Sequence, residues 1–130
     1  MGKFLKDINL KNKVAVVTGA TKGIGRATAI ALHQVGANII AIGRNQSELN
    51  TLRKKLKKKI KIFSCDVNDY ENIKKIIYGL NRIDILVNNA GTNLPEPFLN
   101  VKKSSLETLL NVNTKSAFNM AKLCTDKMLK

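Results

Sequence analysis

Apolar residues occur in two kinds of segment that alternate along the chain. Short runs without polar alternation lie at Val14 to Thr18, Asn38 to Ile42, Ile60 to Ser64 and Ile83 to Val87, and each reads as a strand. Between them, apolar residues recur at three- and four-residue spacing, the period of a helix with one buried face. The spacing predicts a first helix from Gly23 to Val35 that turns Ile24, Ala27, Ala31 and Val35 inward, with Gly36 as its terminating glycine. A second helix starts near Ser47 and buries Leu49, Leu52 and Leu56. A third is capped by Asp69 and buries Ile73, Ile76, Ile77 and Leu80. After a loop with Pro95 and Pro97, a long last helix is expected to begin at Ser104 or Ser105, with Glu107 placed for a capping box.

Strands made of continuous Val, Ile and Leu are buried on both faces, which a parallel sheet covered by helices provides. Right-handed crossovers then give an α/β, doubly wound parallel sheet with strand order 3-2-1-4. Strand four would be an apolar edge, and the chain ends inside a helical pattern. The expectation is one domain, residues 1–130, incomplete at its C-terminus.

Composition narrows the partners. No apolar run approaches the ~18 residues of a membrane span. The segment Met1 to Asp7 is broken by charge and lacks the apolar core of a signal peptide, and Lys6 stands where a myristoylation signal has Ser or Thr. The two cysteines, Cys65 and Cys124, match no metal or redox spacing, so no metal site is expected and a reducing, cytoplasmic setting is. The net charge of +14 is carried mostly by Lys and is densest from Arg53 to Lys61. Aromatic residues make up 5% of the chain and none interleaves with this run, so it lacks the stacking platform of a nucleic-acid binder. It reads as a solvated helix end complementing the helix dipole.

The candidate chemistry sits at the strand ends. Thr18-Gly19-Ala20-Thr21-Lys22-Gly23-Ile24-Gly25 joins the first strand to the first helix. A strand, a glycine turn and a helix N-terminus in that order cradle a pyrophosphate on backbone N–H groups. Asp66-Val67 ends the third strand, and Asn88-Asn89-Ala90-Gly91 ends the fourth. Ligands of open α/β sheets bind at these carboxyl ends. At the end of strand two stands Ile42-Gly43-Arg44-Asn45, with no carboxylate for a ribose 2′-hydroxyl. Arg44 offers a planar fork to a 2′-phosphate, which favours NADP over NAD.

These motifs, with Asn111-Val112-Asn113, resemble the short-chain dehydrogenase/reductase family from Leu10 to Lys130. The resemblance implies a Rossmann-type, cofactor-binding N-terminal half. Its implied cofactor contacts are Gly19, Thr21, Lys22, Gly23, Ile24 and Gly25 in the glycine turn, and Arg44 and Asn45 beside the 2′-phosphate. Asp66 and Val67 would meet the adenine, and Asn88, Asn89, Ala90 and Gly91 the ribose and nicotinamide. In the family a Tyr-x-x-x-Lys pair and a Ser perform acid–base work on the substrate oxygen, while an Asn of the long helix holds a water on the proton path. Asn113 matches that Asn. The Ser and the Tyr-x-x-x-Lys pair of the family fall beyond the residues present. Tyr70-Glu71-Asn72-Ile73-Lys74 matches the spacing but opens the third helix, on the wrong side of the topology, and His33 has no Asp or Ser partner in a suggestive position.

The implied activity is hydride transfer between NADP(H) and a carbonyl or secondary alcohol. Members act on 3-oxoacyl carrier proteins, on sugar acids and polyols, or on small carbonyls, commonly as dimers or tetramers. The alternative is a truncated nucleotide-binding module without turnover. No nucleic acid and no membrane enter either reading.

Overall fold

Val14–Thr18 (β1) and Asn38–Gly43 (β2) form the centre of the sheet, and past their first residues every position in both is buried. The computed structural model describes residues 7–130, so the reading of the extreme N-terminus lies outside the described residues. The other strands are Ile60–Ser64 (β3) and Ile85–Val87 (β4), and all pairings are parallel in the order β3-β2-β1-β4. Val16 stands level with Ile40 on one side and Leu86 on the other. The helices are Gly23–Gln34 (α1), Gln46–Leu56 (α2), Tyr70–Tyr78 (α3), Lys103–Leu110 (α4) and Ser116–Met128 (α5).

Alternation along the strands builds two cores. Val16, Ile40 and Ile42 pack with Ile73 and Ile77 of α3 and Met120, Leu123 and Cys124 of α5. Ala15, Val17, Ile39 and Ala41 pack on the other face with Ala29 of α1 and Leu49, Leu52 and Leu56 of α2. The doubly wound arrangement expected from the strand composition is present. The α1 face is lined by alanines, so this helix lies close to the sheet. Both cysteines are free and buried, and burial raises the Cys124 thiol to about 11.

The helices start and stop largely where their caps say. The Asn45 and Asp69 side chains accept from the amides of Glu48 and Asn72, closing the N-termini of α2 and α3. Gly36, at φ +105°, follows α1. Arg53, Lys54 and Lys55 occupy the last turn of α2, with their charges in solvent.

Three expectations need correction. The buried stripe of α1 is Gly25 and Ala29, not the predicted Ile24, Ala27 and Ala31, and Ile24 is 79% exposed. The glycine is rolled inward because it must lie against the Gly19 carbonyl and the Asn89 amide, and the residue one position away then faces out. β4 begins at Ile85, not Ile83. The Asp84 carboxylate accepts from the Val14 amide at 2.8 Å, replacing the strand carbonyl that would have extended the ladder. Finally, the long last helix begins at Lys103, not at Ser104 or Ser105, without a side-chain cap, and it carries a π-helical turn, Asn111–Lys115, between α4 and α5. Glu107 makes no capping box and faces Lys103 across an exposed turn.

Asp84 fastens the amino-terminal end of the sheet. Besides the Val14 amide it receives Arg82, through Nε at 2.9 Å and Nη2 at 2.6 Å, and Lys13 at 3.3 Å. Burial works against its charge, but the bonds from Arg82, Val14 and Lys13 prevail and lower its pKa from 3.8 to about 2. A carboxylate whose pKa is depressed on folding contributes stability above its unfolded pKa and loses it as pH falls through the folded one. We expect Asp84→Asn to be less stable than wild type at neutral pH. That difference should shrink between about pH 4 and pH 2, as read by urea unfolding across the range. A pH-independent difference would show that the carboxylate charge is not what holds this end of the sheet.

Candidate cofactor site

The carboxyl ends of the four strands open into one groove of about 1180 Å³. Of the residues expected to bind a cofactor, Gly19, Thr21, Lys22, Gly23, Ile24, Arg44, Asn45, Asp66, Val67, Asn89, Ala90 and Gly91 line it. The topology therefore brings together residues up to 72 positions apart, as the Thr18–Ala90 bond shows. Gly25, Asn88 and Asn113 do not line the groove.

Gly25 shapes the groove from behind. A Cβ there would fall onto the Gly19 carbonyl and the Asn89 side-chain amide. Gly19 has φ +64°, and a Cβ on it would lie 2.7 Å from the same Asn89 nitrogen. The turn is thus bare backbone with the N-terminus of α1 directly behind it, the arrangement that receives an anion.

Thr18, the last residue of β1 and the first of the glycine-turn motif, organises this end of the sheet. It is 1% exposed. Its hydroxyl accepts from the amides of Asn89 and Ala90, both at 3.0 Å, and donates to the Val87 carbonyl at 3.3 Å. The Asn89 side chain returns the link by donating to the carbonyls of Thr18 at 3.1 Å and Gly19 at 3.2 Å. The ends of β1 and β4 are locked together where their ladder stops. The available signal was a hydroxyl residue closing an otherwise apolar strand. Asn88 points elsewhere, and its amide donates to the Ala117 carbonyl of α5 at 3.1 Å.

Asn113 explains the interruption between α4 and α5. Its Oδ1 accepts from the Thr92 amide at 2.8 Å and its Nδ2 donates to the Thr92 carbonyl at 2.9 Å. Both ends of the side-chain amide are thereby committed to the loop that leaves Gly91. In this arrangement the side chain ties the loop to the helix. The widened turn carries the Ser116 amide back to the Asn111 carbonyl, while Thr108 and Val112 line the groove. Single π turns of this kind gather at functional sites.

The rim carries charges of both signs, with Glu48, paired with Arg26, lining the groove near Arg44. Lys22 and Arg44 line the groove at the ends of β1 and β2, and neither forms an ion pair among the described residues. Asp66 lies at the end of β3, where its Oδ1 accepts from the Asn68 amide at 2.8 Å and fixes the turn. Burial, and then the charges of Asp69 and Asp66, push the neighbouring Cys65 thiol up, which keeps it protonated. Tyr70, Lys74 and His33 do not line the groove. The His33 ring instead meets the Lys58 carbonyl at 2.9 Å.

Thr18→Val keeps the shape but leaves two amides without their acceptor. We expect a loss of about 2 kcal/mol in urea unfolding, the cost of stranding buried donors, and a much smaller loss for Thr18→Ser. Equal stability of Thr18→Val and wild type would remove the hydroxyl from the network.

A family model described as short chain dehydrogenase matches residues 13–130. The L-xylulose reductase of Mesocricetus auratus is 33% identical over 123 residues, which cover 95% of this chain and 50% of that protein. Carbonyl reductase (NADPH) 2 of Sus scrofa is 35% identical over 122 residues, covering 94% of this chain and 50% of that protein. Among solved structures, 2-keto-3-deoxy-D-gluconate dehydrogenase of Streptococcus agalactiae superposes with a TM-score of 0.80 at 32% identity, over 97% of this chain and 50% of that one. Serine dehydrogenase of Escherichia coli gives a TM-score of 0.82 at 33% identity, over 88% of this chain and 56% of that one. The chain spans about half the length of the curated relatives it matches. With its parallel sheet, glycine turn and strand-end groove, this chain belongs to the short-chain dehydrogenase family.

Proposed function

We propose that this chain is the NADP-binding half of an oxidoreductase that moves a hydride between NADP(H) and a carbonyl or secondary alcohol. The observation that carries the reading is the pair Lys22 and Arg44 on one groove, with no carboxylate among residues 43–45 at the end of β2. A 2′-phosphate meets cations there, where a ribose 2′-hydroxyl needs an acceptor. The name of the Sus scrofa relative, which includes NADPH, supports the same choice.

The bare turn fits a dinucleotide: Gly19, Thr21, Gly23 and Ile24 line the groove at the N-terminus of α1, and a pyrophosphate there meets backbone N–H groups. Asp66 and Val67 hold the adenine end. Asn89, Ala90 and Gly91 flank the ribose and nicotinamide, and Asn88 holds β4 to α5 beside them. When bound, the cofactor supplies the hydride chemistry. The chain's own residues bind it, orient it and fix the loop after Gly91. Asn113 serves that last task through Thr92 and so acts as a positioning residue.

The substrate class is a small-molecule or carrier-bound carbonyl compound. For a protein of the relatives' length, the reading extends to a cytoplasmic homo-oligomer, a dimer or a tetramer. Among the described residues no helix is long and apolar enough to cross a membrane, and no group of three or more His, Cys, Asp or Glu could hold a metal. A nucleotide-binding module without turnover is the second reading. NADPH oxidation across a panel of ketones separates the two.

Arg44→Asp replaces an attraction for the 2′-phosphate with a repulsion. We expect the ratio of NADPH to NADH affinity to fall at least about tenfold, or roughly 1.4 kcal/mol, in fluorescence titrations. Asp66→Ala should weaken both nucleotides alike, because the adenine is common to them. Unchanged NADPH affinity in Arg44→Asp would take Arg44 out of the site, and a loss confined to NADPH in Asp66→Ala would take Asp66 out of the adenine pocket.

A further inference from the structure

Arg26 stands one residue beyond the glycine turn, in the first turn of α1, and its side chain is 24% exposed. It does not line the groove. Its Nη1 is 3.2 Å from the Thr21 carbonyl, 3.1 Å from the Glu48 carbonyl and 3.4 Å from the Glu48 carboxylate. Its Nη2 donates to the Thr51 hydroxyl at 3.0 Å. The guanidinium therefore joins two segments that are distant in sequence. One is the glycine turn bearing Lys22. The other is the start of α2, which is tied to the turn bearing Arg44 where the Glu48 amide donates to the Asn45 side chain.

A second contact joins the glycine turn to the end of β2. Gly43 is buried, and a Cβ on it would lie 2.6 Å from the Thr21 side-chain methyl. Thr21 thus rests directly on the backbone of Gly43 while its carbonyl is held by Arg26. These two contacts leave little freedom for the glycine turn to shift against the end of β2. Lys22 and Arg44, the cations that flank the opening, are the next residues along each turn.

We propose that Arg26 is a specificity-determining positioning residue. Its fork fixes the spacing between the Lys22 turn and the Arg44 turn, so that the two cations converge on a ribose 2′-phosphate. This rests on the reading of the groove as an NADP site. The role needs a planar fork with donors to several acceptors at once, and a lysine, with a single point of donation, does not reproduce it. Arg26 acts through the backbone it holds and not by touching the nucleotide.

The experiment measures NADPH and NADH affinities by fluorescence titration for wild type, Arg26→Lys, Thr51→Val and Arg44→Asp, with a thermal unfolding curve for each. Arg26→Lys keeps the charge and loses the fork. We expect it to lower the NADPH-to-NADH affinity ratio at least about fivefold, chiefly through NADPH, with NADH affinity nearly unchanged. Thr51→Val removes one acceptor of the fork and should lower the ratio in the same direction by about twofold. If Arg26→Lys does not fold, Thr51→Val decides, and a wild-type ratio in it overturns the inference. A wild-type ratio in a folded Arg26→Lys, with the ratio collapsed in Arg44→Asp, overturns the positioning role and leaves the NADP reading standing. Equal affinity of wild type for the two nucleotides, or binding of neither, overturns the NADP reading and this inference with it.

Discussion

The Asn89 side-chain amide rests on two glycines, and the whole carboxyl end of the sheet is arranged around that contact. Its nitrogen donates to the carbonyls of Thr18 and Gly19, and a Cβ on either Gly19 or Gly25 would take its place. Because neither glycine carries a side chain into this space, α1 starts directly behind the turn. Because the amide is bonded to β1 while its own backbone is bonded to Thr18, β4 ends in register with β1. The alanines along the α1 face of the sheet continue this close approach for the length of the helix.

The two ends of the sheet are held by different physics. At the amino end, a charged cluster of Asp84, Arg82 and Lys13 closes the β1–β4 ladder. At the carboxyl end the bonds that close β1 on β4 come from a hydroxyl, neutral amides and backbone groups, while the Arg26–Glu48 pair ties the glycine turn to α2. Lys22 and Arg44 are without ion-pair partners among the described residues on the rim of the groove. A charge already paired within the protein offers an anionic ligand less, so these two cations suit an anion-binding groove.

The π turn shows how the site and the fold share residues. Asn113 needs both of its polar atoms to reach Thr92, while Val112 and Thr108 face the groove. A wider turn, Asn111–Lys115, lies between α4 and α5 at this point. The Ser116 hydroxyl donates to the Val112 carbonyl inside that turn and gives it a local partner.

What the sequence determined by itself was the set of strands, their order, and the position of the groove. Uninterrupted apolar runs specify burial on both faces, and a cap such as Asp69 marks a helix start through a bond three residues long. Glycines at a strand–helix junction are equally local. The tertiary structure decided matters set by partners far away in sequence. Thr18 and Asn89 are 71 residues apart, Asp84 reaches back 70 residues to stop β4 at Val14, and Arg26 spans 22 residues to Glu48. Helix period alone placed Ile24 inside, because the pattern counts apolar residues and cannot register a glycine that must be buried for want of room. Local bonds leave a signature in neighbouring residues, whereas a bond closed by the fold has none until the fold exists.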